Sequence, residues 1–124
     1  MQFLTTTLSL LSLSSVALGC TRYTVKFRSA NATCVDDQAT FNAHCNEIKA
    51  TIADFSTANE YLYGSDFTNQ FTGCDSCGAT DPRCHCSVTA WRYHEWQSTE
   101  NKYDTGAWEI SQDWTAIDGK TVDC

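Results

Sequence analysis

Eight cysteines in 124 residues constrain this chain more than any other feature of its sequence. All of them follow residue 19, at positions Cys20, Cys34, Cys45, Cys74, Cys77, Cys84, Cys86 and Cys124. An even cysteine count in a short exported chain is typical of a disulfide framework. We therefore expect all eight to be disulfide-bonded, in a fold whose small core is supplemented by covalent closure.

Residues 1–19 have the composition of a secretory leader. They carry no charged side chain, contain a leucine-rich apolar run, and end with small residues at Ala17 and Gly19. The pattern predicts a signal peptide cleaved before Cys20. The apolar run is too short to span a bilayer. We expect residues 20–124 to form a single secreted, extracellular domain without stable membrane insertion.

A lipoprotein leader is the alternative interpretation, because Gly19-Cys20 also resembles a bacterial lipidation site. Ala17 and Leu18 fit that site poorly, and the leader has no positive region at its start. Lipidation of Cys20 would also leave an odd number of cysteines. These features favour cleavage by signal peptidase.

The charge balance disfavours nucleic acid and anionic membranes as partners. Fifteen acidic and eight basic residues give a net charge of −7. Arg22, Lys26 and Arg28 form a local exception, and on an extended strand they share one face. This stripe is either an ordinary solvated strand face or a binding patch.

Asn31 begins an Asn-Ala-Thr sequon directly after the basic stripe. A sequon in a loop of a eukaryotic secretory protein is a substrate for N-glycosylation. We expect Asn31 to be exposed and glycosylated.

Periodicity predicts an α+β fold. Residues 22–28 alternate as a half-buried strand, and about residues 36–55 form an amphipathic helix. The apolar stripe of that helix carries Phe41, Cys45, Ile48, Ile52 and Phe55. Because Cys45 lies on this stripe, its bridge should enter the core.

The second half predicts more strands and a second helix. Residues 66–71 are a weaker strand, 73–83 a loop, and 84–96 a long strand on which Cys86 is a suitable partner for Cys45. Ala107, Ile110, Trp114 and Ile117 recur at spacings of three and four residues, so residues 105–117 fit a helix slightly better than a strand. Residues 121–124 would form a final strand. The order β-α-β-β-α-β predicts a split βαβ (ferredoxin-like) plait, an antiparallel sheet with two helices on one face.

Aromatic residues are numerous for so small a domain, with four tryptophans and five tyrosines. Some must fill the core, and others are available for a sugar-binding platform or a protein contact. We select Trp91, Tyr93 and Trp96 as candidate binding residues, together with the basic stripe.

Two segments contain residue types that are found in metal or catalytic sites, and the first is a cysteine cluster. Cys74, Cys77, Cys84 and Cys86, with His85 between the last two, have spacings that would suit zinc. In an exported chain the same cysteines are better explained by disulfides, so we expect no metal and no cofactor.

The second candidate is the segment Arg92-Tyr93-His94-Glu95, which holds the residue types of a small secreted ribonuclease. A strand places Arg92 and His94 on one face and Glu95 on the other. The acidic chain also disfavours RNA binding. We expect a non-enzymatic protein, with a small hydrolase as the alternative and a carbohydrate-binding module as the third.

The leader, the length, the cysteines and the single sequon resemble the small secreted cysteine-rich effectors of filamentous ascomycete fungi. The expected plait, with a cysteine on its first helix, is similar to their killer-toxin-like subset. This resemblance implies a monomeric, non-enzymatic effector or toxin-like protein. Its implied partner is a host or competitor protein, or a cell-wall glycan, outside the cell.

Overall fold

A computed structural model of the protein describes residues 19–59, 65–93 and 103–123. The elements in this part of the chain are β1 (Gly19–Ser29), a short 3-10 helix (Val35–Asp37), α1 (Gln38–Asn59), β2 (Ser65–Cys74), β3 (Cys84–Tyr93) and β4 (Trp108–Asp123). The predicted signal peptide lies outside the described residues, except for Gly19 at the start of β1. None of the described helices is long and apolar enough to cross a membrane.

The four strands form one sheet in the order β2-β3-β1-β4. Every neighbouring pair is antiparallel. The strands β1 and β2, which α1 connects, are therefore parallel to each other, with β3 between them. β1 occupies a central position and pairs with β3 on one side and with β4 on the other.

The core lies between one face of the sheet and α1. Strict alternation buries Val25 and Phe27 of β1, and helical spacing buries Cys45, Ile48 and Ile52 of α1. Cys84, Cys86 and Val88 of β3, Tyr103, and Trp108 and Trp114 of β4 complete the same cluster. We call the opposite side of the sheet, which faces away from α1, the outer face.

Three disulfides join these elements. Cys45–Cys86 links α1 to β3 through the core, as the apolar stripe and the strand alternation indicated. Cys74–Cys84 joins directly opposite residues of β2 and β3, and Cys34–Cys77 connects the segment before α1 to the loop between those strands. The sheet and α1 are therefore held together covalently.

The helix predicted over residues 105–117 is wrong, because from Trp108 onward this segment belongs to the strand β4. The register between β1 and β4 shifts at three places, and each β-bulge inserts extra residues that disturb the alternation of side chains. Two of these shifts lie between Ile110 and Thr115, so the four-residue step from Ile110 to Trp114 belongs to a bulged strand and not to a helix. Ile110 and Ile117, assigned to a buried helical stripe, are 36% and 46% exposed.

The separate final strand predicted at 121–124 is part of the same element, since β4 continues without a break to Asp123. The described residues contain one α-helix, so the two-helix plait is not confirmed. The coarser prediction is confirmed: the chain forms an antiparallel sheet with a helix on one face, stapled by disulfides.

Candidate binding face

The basic stripe lies on the outer face of the sheet. Because Val25 and Phe27 point into the core, the alternation of β1 turns Lys26 and Arg28 to the other side, where both are exposed. Arg22 lies on the same face and is half-buried. The strand therefore presents three cations in a line at the centre of the sheet.

Cross-strand register places polar residues beside Lys26. Lys26 is opposite Ser87 on β3 and Gln112 on β4, and Ser87 in turn is opposite Gln70 on β2. Opposite residues of an antiparallel pair share a face and lie within side-chain contact distance. Lys26 is therefore surrounded by hydroxyl and amide groups.

A row of threonines crosses all four strands next to Lys26. Thr24 is opposite Thr89 on β3 and Thr115 on β4, and Thr89 is opposite Thr68 on β2. The Thr89 hydroxyl donates to the Thr24 oxygen over 3.2 Å, and the Thr24 hydroxyl donates to the Val88 carbonyl over 3.3 Å. These bonds fix the hydroxyls at the centre of the face.

Trp91 brings an aromatic ring to the same face. The guanidinium carbon of Arg22 lies 5.6 Å from the centre of the Trp91 ring, which is within the range of a cation–π contact. The register places Trp91 opposite Arg22. Of the other aromatic candidates, Tyr93 is described only as backbone at the end of β3, and Trp96 lies outside the described residues.

One end of the outer face is an ion-pair network. Arg28 Nε donates to Glu109 Oε1 over 2.7 Å, and Arg83 Nη1 donates to the same oxygen over 2.9 Å. Arg83 Nε also donates to Asp81 Oδ1 over 3.0 Å, and this bond holds the pKa of Arg83 above its ordinary value. The charge of Arg28 is therefore matched within the protein.

Asp75 and His85 form the adjoining part of this network. The backbone N–H of Arg83 donates to Asp75 Oδ2 over 2.9 Å, and His85 Nε2 lies 3.2 Å from Asp75 Oδ1. The Arg83 hydrogen bond, followed by the His85 contact, lowers the pKa of Asp75 from its ordinary 3.8. Asp75 is thus held in its charged form beside His85.

A groove of about 350 Å³ opens on the outer face beside Lys26. Its polar lining comes from all four strands and comprises Lys26, Gln70, Thr72, His85, Ser87 and Ser111. We call it the outer-face groove. Apart from Lys26, and His85 in the zinc alternative, the sequence did not indicate these residues. The alternation of His85 with the buried Cys84 and Cys86 was the signal that places His85 on the outer face.

A smaller cavity, of about 130 Å³, lies on the helix side of the sheet. His44 lines it, with Nδ1 2.9 Å from Glu47 Oε2, and its carbonyl accepts a 3.1 Å hydrogen bond from the indole N–H of Trp108. The ring of Phe41 packs edge-on against both His44 and Trp108. These contacts assign His44 a packing role between α1 and β4.

The structure also describes parts of the zinc, sugar-binding and ribonuclease candidate sites. The four cysteines of the proposed zinc site all belong to disulfides, and a disulfide sulfur is not a thiolate ligand. Trp108 and Trp114 are 2% and 8% exposed, so a sugar platform cannot use them. His94 and Glu95 of the ribonuclease segment lie outside the described residues, and Arg92 is described only as backbone.

Comparison with known proteins gives one family. No curated protein matches the chain. The family model described as Avirulence Effector AvrLm4-7 matches residues 20–115, which is most of the sequence. This match confirms the resemblance to cysteine-rich fungal effectors, and the chain belongs to the AvrLm4-7 avirulence effector family.

Proposed function

We propose that this effector is a secreted, non-enzymatic protein that binds a host protein through the outer face of its sheet. The observation that carries the proposal is the juxtaposition of the basic stripe, Trp91 and the threonine row on one open face. The basic stripe gives this face three cations in a chain whose net charge is −7. Its partner is therefore expected to be acidic where the two proteins meet.

The composition of the outer face favours a protein over a glycan or a nucleic acid. A glycan platform needs exposed aromatic rings, and Trp91 is half-buried and stacked with Arg22. A nucleic acid needs several unmatched cations, whereas Arg28 is paired with Glu109. An aromatic ring beside an arginine is a combination enriched in protein interfaces, and the surrounding hydroxyls can form the hydrogen bonds that such an interface contains.

Secretion is favoured by the family and by the disulfides, which persist in oxidising compartments. We propose that the protein acts outside the cell, as a monomer. The test compares a form exported into host tissue with a leaderless form expressed in the host cytosol. Activity of the exported form alone is expected, and activity of the cytosolic form alone would contradict extracellular action.

The binding proposal is tested by reversing charge on the outer face. The double variant Arg22→Glu, Lys26→Glu removes one half-buried and one exposed cation without touching the Glu109 network. Lys49→Glu on α1 is the control for a charge reversal away from this face. The host response should be lost in the double variant and retained in the control, with disulfides intact in both. Retention of the response in the double variant would overturn the proposal.

The absence of enzymatic activity is part of the same proposal, and the avirulence family supports it. In the described residues, the charged groups around His85 are engaged in ion pairs with one another. The test incubates the purified protein with RNA and glycan substrates. Turnover that His94→Ala abolishes while the fold is retained would contradict a pure binding role.

The kinship with killer-toxin-like plaits remains a finer proposal. It is supported by the sheet order, in which β3 lies between the parallel strands β1 and β2 that α1 connects. This is the arrangement of one split βαβ unit. An experimental structure of the oxidised protein tests it through the path of the connection between β3 and β4.

We also propose that Asn31 carries an N-linked glycan. Asn31 is exposed in the bend after β1, and the Thr33 hydroxyl of the sequon donates to the Asn31 carbonyl over 2.9 Å. The secreted protein should lose mass on treatment with an N-glycosidase. Asn31→Gln should remove this shift, and an unchanged mass in the wild type would contradict the proposal.

A further inference from the structure

We propose that the outer-face groove is the subsite that receives a carboxylate side chain of the host protein. The inference rests on the proposed function and specifies the chemistry of its contact. The groove is central, it opens to solvent on the side away from α1, and its 350 Å³ suits one or two side chains.

The lining of the groove is rich in hydrogen-bond donors. Lys26 contributes an ammonium group, Gln70 an amide, and Thr72, Ser87 and Ser111 hydroxyls. His85 contributes an imidazole whose Nε2 faces Asp75. No carboxylate from the described residues lines the groove. A carboxylate oxygen entering it would therefore meet donors on several sides.

Lys26 supplies the charge that makes this site attractive to an anion. The neighbouring cations are matched internally, since Arg28 and Arg83 share Glu109. Lys26 is exposed, and the described part of the chain gives it no ion pair. Its charge is therefore available to a partner, within a protein whose remaining charge repels anions.

A carboxylate fits this arrangement better than a phosphate. A phosphate monoester carries more than one negative charge at neutral pH, and proteins commonly bind it with the planar fork of an arginine. Here the single unmatched cation at the groove is a lysine, a point charge, and the nearby guanidinium of Arg28 is bound to Glu109. One ammonium with several hydroxyls and an amide balances a single negative charge.

The test is a titration of the oxidised, isotopically labelled protein, followed by amide chemical shifts. The probes are hexaglutamate and hexaglutamine, both with acetylated and amidated ends, and inorganic phosphate. Hexaglutamate should shift the amide signals of Lys26, Gln70 and Ser87, whereas hexaglutamine should not. Phosphate should bind more weakly than hexaglutamate at the same ionic strength.

Matched variants separate the groove from general charge effects. Lys26→Ala should weaken hexaglutamate binding about two- to fivefold, the range for a solvent-exposed ion pair. Lys49→Ala, on α1, removes the same charge elsewhere and should leave the affinity unchanged. An equal loss in both variants, or no shift of the groove signals by hexaglutamate, would overturn the carboxylate subsite. Tighter binding of phosphate would overturn it as well.

The outcomes for the subsite and for the function can be told apart. The Arg22→Glu, Lys26→Glu variant could lose the host response while hexaglutamate fails to bind the wild type. That result would support binding through the outer face and contradict the carboxylate subsite. If hexaglutamate binds the groove but the variant keeps the host response, the carboxylate subsite is supported and the proposed function is contradicted.

Discussion

Ser29 illustrates how one buried hydroxyl holds the end of the sheet together. Its side chain is fully buried, and its Oγ accepts a 3.0 Å hydrogen bond from the backbone N–H of Cys84. Its carbonyl accepts a second bond, of 2.7 Å, from Arg83 Nη1. Ser29 thus links β1 to the start of β3 at the edge of the ion-pair network.

We predict that Ser29→Ala lowers the free energy of unfolding by about 1–3 kcal/mol, because it leaves a buried N–H without its acceptor. Urea denaturation of the oxidised protein measures this change. Ser111→Ala removes an exposed hydroxyl from β4 and should change stability by less than about 0.5 kcal/mol. Equal effects of the two substitutions would contradict the role of Ser29.

Asp75 predicts a pH dependence of stability. Its pKa is lowered in the folded protein, so its contribution is complete above the ordinary value of 3.8 and is lost as the pH falls through the folded pKa. At pH 7, Asp75→Asn should therefore be less stable than the wild type. Below about pH 4 the two stabilities should converge.

Thermal unfolding at a series of pH values between 7 and 2.5 measures this convergence. A difference between Asp75→Asn and the wild type that stays constant across the whole range would show that the charge of Asp75 does not contribute. The loss would then reflect only a changed hydrogen bond to the Arg83 backbone.

At the scale of elements, two disulfides close loops of nearly equal length in different surroundings. Cys45–Cys86 spans 41 residues and Cys34–Cys77 spans 43, so loop entropy assigns each about 4 kcal/mol. Cys45 and Cys86 are buried in the core, whereas Cys77 is exposed. The difference between the two bridges is therefore one of packing.

We predict that the double variant Cys45→Ala, Cys86→Ala is less stable than Cys34→Ala, Cys77→Ala by about 1 kcal/mol or more, because it also leaves a cavity. Guanidinium denaturation of both proteins measures the difference. Equal stabilities would show that the core closes around the missing sulfurs, and a reversed order would contradict the packing argument.

Sequence periodicity predicted the elements whose side chains alternate without interruption. The alternation of β1 located the buried Val25 and Phe27, and the helical spacing located the face of α1 that carries Cys45. The helix was expected over residues 36–55 and extends over Gln38–Asn59. These patterns are local, and they can therefore be recognised without knowledge of the partner strand.

The pattern failed for β4 because its bulges are set by the pairing with β1. Two register shifts lie between Ile110, which is opposite the buried Phe27, and Thr115, which is opposite Thr24. Beyond them, Ala116 is opposite Tyr23, so alternation turns Ile117 away from the core. The position of a bulge depends on how the strand pairs with its neighbour, so the sequence of the strand alone does not reveal it. The helix prediction therefore rested on an apolar spacing that also occurs in this bulged strand.

The candidate site was predictable only in part, for the same reason. The basic stripe could be read from β1 alone. The outer-face groove could not, because Lys26, Ser87 and Gln70 meet only through the registers of β1 with β3 and of β3 with β2. Such long-range pairings are not encoded in any short window of the sequence.

At the scale of the whole molecule, the charges are distributed unevenly. The chain carries a net charge of −7, yet the outer face exposes Lys26 at its centre. The net charge would repel an acidic partner on average, whereas Lys26 would attract it to this part of the described surface. The uneven distribution therefore favours one orientation of binding over the others.

The sheet also brings the two ends of residues 20–124 together. β1 and β4 are antiparallel, with Gly19 opposite Asp123 and Cys20 opposite Val122. The three disulfides described above use six of the eight cysteines. An even count then leaves Cys20 and Cys124 for each other.

We predict a Cys20–Cys124 disulfide, which peptide mass spectrometry under non-reducing conditions should detect. In the loop-entropy model a closure of this length stabilises the folded protein by about 5 kcal/mol, more than any of the other three bridges. Cys20→Ala, Cys124→Ala should therefore unfold at a lower denaturant concentration than the double variant of Cys34 and Cys77. A free thiol at Cys20 in the secreted protein would contradict the pairing. A lipid attached to Cys20 would contradict both the pairing and the predicted cleavage of the leader by signal peptidase.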